Sequence, residues 1–248
     1  MNSCHCPYTL YSIPNTSPML EILFQDTHLI VINKPHGLLV HRSPIATNTD
    51  TYAVQELRNQ IDQHVYPVHR LDRKTSGVLL FALKKELIPE LMKQFEEHTV
   101  AKTYWAILRG YTDNEGTIDY ALTNDKGKTQ EAITHYKTLD RTEVPVPFGK
   151  HATSRYSLVE AKPETGRMHQ LRKHFAHILH PIIGDRPHGC NKQNKLFLDQ
   201  WNMGTMLLHA RQLDFNHPLK DERISLNAQP SEEFKRMLET LKFSHYPL

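Results

Sequence analysis

The spacing of apolar residues along the chain predicts a series of strands with a few helices between them. Short apolar or alternating runs predict strands at 21–24, 28–33, 78–83, 101–108, 129–139, 155–161 and 206–215. Apolar residues three and four positions apart predict helices at 51–61, 86–98, 166–179 and 231–241. Because the strands come in runs rather than in strict alternation with helices, we expect an α+β fold. Its central sheet should be mixed but largely antiparallel, flanked by helices and loops.

The same pattern divides the chain into a short tail and one large domain. Residues 1–18 contain three prolines and little periodicity, so we expect an irregular N-terminal tail. Residues 19–248 carry all the predicted elements, and Met19 is a second candidate for the start of the protein.

No targeting or membrane segment is evident in the sequence. No apolar run approaches the roughly 18 residues of a membrane-spanning helix, so we expect no membrane association. The N-terminus lacks the charged start and apolar core of a secretion signal. Cys4, Cys6 and Cys190 form an odd set in a long chain, which does not suggest a disulfide framework. We therefore expect a cytoplasmic protein.

Positive charge is concentrated in one part of the chain. The whole sequence has 30 Lys and Arg against 27 Asp and Glu, a net charge of +3. Between 167 and 195, however, six basic residues face a single acid, Asp185. Such a block is expected of a site for a phosphate backbone, and a solvated basic helix face is the alternative.

One carboxylate stands out among the candidate catalytic groups. Asp72 lies in the segment 69–77, just before a buried apolar run, so it should sit on a loop held by a rigid strand. The neighbouring Arg70, Arg73 and Lys74 would favour its ionised form and would suit an anionic partner such as a nucleic-acid backbone. For a lone aspartate, a solvated charge run on the surface is the alternative.

Several motifs resemble those of the ribosomal large subunit pseudouridine synthase A family. They are His-Arg-Leu-Asp-x-x-Thr-Ser-Gly at 69–77, Thr-Gly-Arg-x-His-Gln-Leu-Arg at 165–172 and Asn-Lys-Pro-x-Gly at 33–37. A Gly-Asp-x-x-His-Gly loop at 184–189 carries His188 where many members have Tyr, and the tRNA-acting branch shares this His. The resemblance extends from about residue 20 to about residue 228.

This resemblance implies a pseudouridine synthase fold with the active site in a basic cleft, and an isomerase that needs no cofactor and no metal. Asp72 would be the catalytic carboxylate, acting either as a nucleophile at the sugar or as a base. Tyr104 would stack on the extruded base, and its hydroxyl could assist proton removal at the new carbon bond. Arg172 would form a salt bridge to Asp72. Arg70 would enter the RNA stack where the base has left. The remaining expected RNA-binding residues are Arg73, Lys74, Arg167, His169, Lys173, Arg186 and His188.

The resemblance to the tRNA-acting branch implies a tRNA substrate, with uridine 65 as the target. The domain starts too early for the small RNA-binding domain that several ribosomal relatives carry, and we expect a monomer with no obligate protein partner. A ribosomal or other RNA target, or a non-catalytic RNA-binding protein of the same fold, are the alternatives. A metal hydrolase is more remote. The spacing of His174, His177 and His180 and the Cys4-His5-Cys6 segment invite that reading, but neither has a complete ligand set.

Overall fold

The computed structural model describes residues 19–41 and 51–246, and its centre is a ten-stranded sheet. The strands are β1 (Glu21–Gln25), β2 (Leu29–Lys34), β3 (Tyr66–Pro67), β4 (Ser76–Ala82), β5 (Ala101–Arg109), β6 (Glu115–Asp119), β7 (Leu122–Thr123), β8 (Thr129–Gln130), β9 (Ile133–Val144), β10 (Ser154–Pro163), β11 (Leu208–Asn216) and β12 (Arg223–Asn227). The helices are α1 (Ala53–Ile61), α2 (Ile88–Glu96), α3 (Gln170–His177), α4 (Asn191–Trp201) and α5 (Glu232–Thr240), with a 3-10 turn at Lys85–Leu87. The predicted tail 1–18, with its Cys4-His5-Cys6 segment, lies outside the described residues.

The sheet is mixed and largely antiparallel, as the sequence predicted. Its main path runs β1-β2-β4-β11-β5-β10-β9-β6, with β12 beside β11 and β3 beside β4. Among the strand pairs of the described residues, only β4 and β11 run parallel. Strands β7 and β8 form a separate small hairpin.

Strand β4 lies at the centre of the fold because apolar layers cover both of its faces. All of its residues are buried. Val78 and Leu80 pack into one core cluster with Leu91 of α2, whereas Leu79 packs into another with Leu57 of α1. Successive strand residues point to opposite faces, which explains why a continuous apolar run serves two cores. Full burial of a leucine contributes roughly 1.5–3 kcal/mol, so the strand is a rigid support for the loop before it.

The two central strands approach each other closely where that loop ends. Gly77 pairs with Ala210 of β11 and has a φ of +113°. A Cβ atom at Gly77 would lie 2.1 Å from the carbonyl oxygen of Ala210, so only glycine fits there. Beside it, Ser76 Oγ and His209 Nδ1 are 2.9 Å apart in a buried hydrogen bond across the same pair of strands.

Several helix predictions are confirmed, and the exceptions have physical causes. Helix α2 has Pro89 in its first turn, and the N-cap of α5 is Ser231, whose Oγ accepts a hydrogen bond from a main-chain N–H. Helix α3 begins only at Gln170 rather than at 166, because His169 adopts the left-handed conformation. The prediction missed α4, whose polar sequence buries only Gln193 and Phe197.

Strand predictions were less accurate at the edge of the sheet. The predicted strand 129–139 is two strands, since β8 belongs to the small hairpin and β9 continues to Val144. The short strands β6 and β12 were not predicted, because each has five mostly polar residues that leave little apolar periodicity in the sequence. Within the described part of the chain, none of the helices combines the length and apolarity needed to cross a bilayer.

Gly77→Ala should destabilise the protein by about 3 kcal/mol or more, because the new methyl group would clash with β11 and the backbone would be strained. Urea denaturation followed by circular dichroism measures this loss. Gly127→Ala is the matched control: it also lies at positive φ, but its methyl group would meet no atom within 4 Å. Strain alone should cost the control about 1 kcal/mol. Equal losses of unfolding free energy in the two variants would show that the close β4–β11 contact is not what requires glycine at position 77.

Candidate active site

Three distant segments of the chain meet around Asp72 to form a pocket of about 120 Å³. The loop before β4 contributes Asp72, and strand β5 contributes Tyr104. The third segment is the turn before α3 together with the first residues of that helix. Four cationic side chains share the lining with the single carboxylate, namely Arg70, Lys102, Arg167 and Arg172. The site is therefore a basic cleft, as the sequence predicted.

Arg172 binds two carboxylates at once. Its Nη1 donates to Asp72 Oδ2 at 2.8 Å, which confirms the predicted ion pair. Its Nε and Nη2 donate to the two oxygens of Asp185, each at 2.8 Å. The bidentate grip expected of an arginine fork thus falls on Asp185, and Asp72 receives a single hydrogen bond.

Sequence reasoning did not assign a role to Asp185. The signal was present, since Asp185 is the single acid in the basic block and belongs to the Gly-Asp-x-x-His-Gly loop. Asp185 is only 1% exposed and Arg172 only 6%, whereas the Asp72 side chain is 22% exposed. Asp72, Arg172 and Asp185 form a triad of charged side chains, in which the buried pair of Arg172 and Asp185 supports Asp72, the member that faces the pocket.

The electrostatics of Arg172 follow from its burial and its partners. Burial alone would lower the pKa of Arg172, but the hydrogen bonds and charges of Asp185 and Asp72 outweigh burial and raise it. A guanidinium held in this way stays charged at every pH of interest. Removing one partner of such a buried pair typically costs about 3–5 kcal/mol, because the other charge is left unpaired.

The turn before α3 is held by Gln170. Its Oε1 accepts from Thr165 Oγ1 at 2.7 Å and from the main-chain N–H of Arg167 at 2.9 Å, and its Nε2 donates to the carbonyl of Ile133. These bonds fix the positions of Arg167 and His169 beside the pocket. Gln170 therefore has a structural role, and it lines the site together with Arg167 and His169.

His169 and His188, both predicted as RNA-binding residues, lie next to the carboxylate. His169 Nε2 is 3.7 Å from Asp72 Oδ2, and His169 Nδ1 is 3.0 Å from His188 Nε2. The two rings meet edge to face, with centroids 5.2 Å apart. His169 is therefore within ion-pair distance of Asp72 but makes no hydrogen bond to it, and His188 contacts His169.

Strand β5 places an aromatic ring and a cation on the opposite wall. Burial raises the pKa of Tyr104, and the negative charge of Asp72 raises it further, so the hydroxyl stays protonated. Lys102 Nζ donates to the carbonyl of Glu164 at 3.2 Å. Burial lowers the pKa of Lys102 to about 8, and the nearby Arg167 adds to that shift.

A buried lysine, Lys34, holds the Asp72 loop through hydrogen bonds to main-chain carbonyls. Lys34 Nζ donates to the carbonyls of Pro35 at 2.9 Å, Leu38 at 2.8 Å and Arg73 at 3.3 Å. Burial lowers the pKa of Lys34 to about 7, and Asp72 opposes that shift. The sequence indicated a turn at this Asn-Lys-Pro-x-Gly motif but not that its lysine ties the turn to the residue following Asp72.

The other predicted RNA-binding residues do not form one group. Arg70 is exposed at the pocket, but Arg73 Nε donates to the carbonyl of Gly37 at 2.9 Å and so braces the loop. Lys74 lies near Arg186, and burial followed by the charge of Arg186 lowers the pKa of Lys74. Lys173 lies beside His188. The cations thus extend from the pocket towards the Gly-Asp-x-x-His-Gly loop.

The three histidines at 174, 177 and 180, of which the first two lie on α3, do not converge. His174 Nδ1 contacts Thr134 Oγ1 and its Nε2 contacts the carbonyl of Tyr120, each at 3.0 Å. The ring of His177 stacks on that of Tyr120 with centroids 3.7 Å apart. His180 Nδ1 contacts a main-chain carbonyl of β5. Since each ring has its own protein partner, the spacing reflects packing rather than a shared ligand set.

A second cluster of potential metal ligands, within the described residues, is also satisfied by protein groups. Asp26, His28 and His217 lie close together. Asp26 Oδ2 accepts from His217 Nε2 at 3.0 Å and from Lys220 Nζ at 3.1 Å, and His217 Nδ1 accepts from the N–H of Leu219. A lysine ammonium at the carboxylate is incompatible with a bound cation there.

Asp185→Ala should lower the melting temperature by about 10 °C, because loss of its bidentate partner leaves the buried Arg172 with one carboxylate and costs about 3 kcal/mol. Differential scanning calorimetry measures the shift. Asp199→Ala is the matched control, since Asp199 pairs with Lys195 on an exposed helix surface and should change stability by less than about 1 kcal/mol. A shift of less than 3 °C for Asp185→Ala would contradict the structural role of the triad.

Comparison with known proteins agrees with this geometry. Residues 28–177 match the family model described as RNA pseudouridylate synthase. The chain is 48% identical over 222 residues to a protein of Pectobacterium carotovorum named tRNA pseudouridine synthase C, covering 85% of this chain and 59% of that protein. It is 46% identical over 229 residues to the protein of the same name from Vibrio parahaemolyticus, covering 88% of this chain and 93% of that protein.

Solved structures agree as well. Human RNA pseudouridylate synthase domain containing 4 superposes with a TM-score of 0.68 at 28% identity, over 90% of this chain and 93% of that one. Human RNA pseudouridylate synthase domain containing 1 shares the fold, with a TM-score of 0.67 at 22% identity over 92% and 96% of the two chains. With more than half of its length matched by the family model and relatives above 40% identity, the chain belongs to the RNA pseudouridylate synthase family, a family of isomerases.

Proposed function

We propose that this protein isomerises a uridine of tRNA to pseudouridine, with Asp72 as the group that acts at the sugar. The observation that carries the proposal is the position of Asp72, which is held by Arg172 and faces a pocket lined by cations. The similarity to proteins named tRNA pseudouridine synthase C supports tRNA as the substrate. The resemblance to the tRNA-acting branch favours uridine 65 as the target nucleotide.

RNA binding would depend on backbone charge and on extrusion of one nucleotide. Lys102 and Arg167 lie on the pocket wall next to Tyr104, where they suit the phosphates on either side of an extruded base. Arg70 is exposed at the pocket, in a suitable position to fill the stack that the base leaves. Extrusion costs a few kcal/mol, and these contacts would offset part of that cost.

The chemistry requires that the bond from C1′ to N1 of the uracil breaks, that the ring turns, and that a bond from C1′ to C5 forms. A carboxylate can assist as a nucleophile at C1′ or as a base at the sugar. The triad suits either role, because Arg172 makes two of its three carboxylate bonds to Asp185. Asp72 is therefore oriented by Arg172 without being fully neutralised by it.

Tyr104 would act mainly through its ring. Its raised pKa keeps the hydroxyl protonated, which disfavours a phenolate base and leaves a flat aromatic surface beside Asp72. The chemistry has no net redox change, so we propose that the enzyme works without a cofactor. We also propose that it works in the cytoplasm as a monomer, without an obligate protein partner.

Asp72→Asn should reduce pseudouridine formation by about a thousandfold or more, since the amide is neither a nucleophile nor a base. Affinity for tRNA should stay within about tenfold, because it depends on phosphate contacts. Single-turnover assays with transcribed tRNA and carbodiimide mapping measure both the rate and the position. Asp199→Asn, on the exposed face of α4, is the control and should retain full activity.

Activity retained in Asp72→Asn would refute the catalytic assignment. Binding of tRNA by the unaltered protein without any pseudouridine formation would instead favour a non-catalytic RNA-binding protein. If the protein modifies ribosomal RNA more efficiently than tRNA, the proposed reaction would stand and the proposed tRNA substrate would be wrong.

Tyr104→Phe should retain most of its stacking and lose no more than about tenfold in rate, whereas Tyr104→Leu removes the ring and should lose about a hundredfold or more. The physical reason is that the protonated hydroxyl contributes less than the aromatic face. Rates of product formation at saturating enzyme measure the difference. Equal losses in the two variants would instead assign the hydroxyl a direct role in proton transfer.

A further inference from the structure

A second basic region lies outside the candidate active site. Two open cavities, of about 610 Å³ and about 200 Å³, meet at Arg109 and Gly110, where strand β5 ends. Together they form what we call the distal groove, whose basic and aromatic side chains are Arg109, Phe148, His151, Arg155, His180 and His188. No Asp or Glu of the described residues lines either cavity. The distal groove therefore suits an anion.

The distal groove begins next to the active-site pocket. His188 lines the groove, and its Nε2 lies 3.0 Å from Nδ1 of His169, which lines the pocket of Asp72. Strand β5 spans the same distance on the other side, since Tyr104 lines the pocket and Arg109 lines the groove. Five strand residues extend over roughly 17 Å. In a duplex each strand carries one phosphate per roughly 3 Å of helix axis, so a stem of several base pairs would reach both places.

Arg109 has a guanidinium that is oriented but not yet used. Its Cζ lies 5.3 Å from the ring centroid of Phe148, in a cation–π contact. In the part of the chain that the structure describes, its side chain makes no hydrogen bond and no ion pair. Arg155 differs, because it donates to Glu143 Oε2 at 3.1 Å and its charge is already paired. A stacked guanidinium keeps the N–H groups at its edge available, and its planar fork matches a phosphate.

Main-chain hydrogen bonds hold both members of this stack in place. The N–H of Phe148 donates to the carbonyl of His151 at 3.0 Å, and the N–H of His151 donates back at 3.1 Å, which closes a tight turn. The N–H of Arg109 donates to the carbonyl of Pro181 at 3.1 Å, and the carbonyl of Arg109 accepts from His180 Nδ1 at 2.9 Å. The cation is therefore positioned before any ligand arrives, which lowers the entropic cost of binding.

Two exposed lysines add positive charge around the distal groove. Lys150 lies in the turn between Phe148 and His151, and Lys192 precedes Gln193, which also lines the groove. Neither lysine makes an ion pair with any residue of the described ranges 19–41 and 51–246. Their charges are therefore available to a polyanion longer than a single phosphate group.

We propose that the distal groove binds phosphates of the tRNA stem that extends beyond the target nucleotide, with Arg109 as the principal contact. This inference rests on the proposed function. Phosphate contacts fix the register and orientation of a nucleic acid on a protein and do not read its sequence. Double-stranded RNA is recognised mainly through such backbone contacts. The groove would thus help to determine which uridine of a folded tRNA reaches Asp72.

Arg109→Gln tests the contact, because it removes the charge and keeps most of the side-chain stem. We expect the affinity for transcribed tRNA to fall by about tenfold. The slope of log Kd against log salt concentration should decrease by about one, the value for one lost phosphate contact. Filter binding over a series of salt concentrations measures both quantities. Arg109→Lys keeps the charge without the planar fork, so it should restore the slope and only part of the affinity.

Arg58→Gln is the matched control for the loss of charge. Arg58 is exposed on α1 and, like Arg109, has no ion pair among the described residues. Its replacement should change tRNA affinity, salt slope and pseudouridine formation by less than about twofold. Because Arg109 has no hydrogen-bonded partner to lose, Arg109→Gln should keep its melting temperature within about 2 °C of the unaltered protein.

Ethylation interference locates the contact on the RNA. With the unaltered protein, ethylation should block binding at the phosphates next to the target nucleotide and at a second group about five or more nucleotides away. In Arg109→Gln the second group should disappear while the first remains. If Arg109 has only a structural role, both groups would weaken together, and the inference would be wrong.

The remaining outcomes separate this inference from the proposed function. If Arg109→Gln binds tRNA with the affinity and salt slope of Arg58→Gln, while the unaltered protein forms pseudouridine, the distal groove is overturned and the proposed function stands. If the unaltered protein binds tRNA without forming pseudouridine, and Arg109→Gln loses the second group of phosphates, the proposed function is overturned and the distal groove stands as an RNA-binding surface.

Discussion

One guanidinium shared by two carboxylates is the constraint on which the site depends. Arg172 is buried, and an arginine charge in that environment is tolerated only with well-placed partners. Asp185 supplies two hydrogen bonds from inside the protein, so the position of the guanidinium is set before any substrate arrives. Its third bond then orients Asp72 towards the pocket. A single ion pair between Asp72 and Arg172 would have left both side chains freer to move, and would have neutralised the carboxylate more completely.

The fold supplies this arrangement by bringing distant segments of the chain to the N-terminal end of the rigid strand β4. Strand β4 is covered on both faces, and its close contact with β11 at Gly77 fixes the end of the loop that carries Asp72. Lys34 ties the same loop to the turn after β2 through main-chain carbonyls. On the other side, the Gln170 bonds hold the turn that leads into α3. The geometry of the candidate site is therefore a consequence of backbone constraints in three places, rather than of contacts among the polar side chains alone.

The sequence predicted the central strands and most of the helices, because apolar periodicity is a local signal. The pairing of Asp72 with Arg172 was implied by the resemblance to the family, since nothing in the spacing of the two residues indicates it. The sequence did not predict α4, β6 or β12, whose patterns are short or polar. It also missed the roles of Asp185 and Lys34. Both residues act through partners that only the folded chain brings near, and neither spacing nor charge in the sequence specifies which carbonyl or guanidinium a buried side chain will meet. For the same reason His169 was assigned to RNA, although its ring faces Asp72.

The central claim, that Asp185 contributes to the reaction only by holding Arg172, is tested most directly by a kinetic double-mutant cycle. Single-turnover rate constants for pseudouridine formation are measured for Asp185→Asn, Arg172→Lys and the double variant. If Asp185 acts through Arg172, the double variant should react within about twofold of Arg172→Lys alone, because the second change removes nothing further. If the two single variants each lower the rate constant and the double variant shows the product of the two reductions, Asp185 does not act through Arg172.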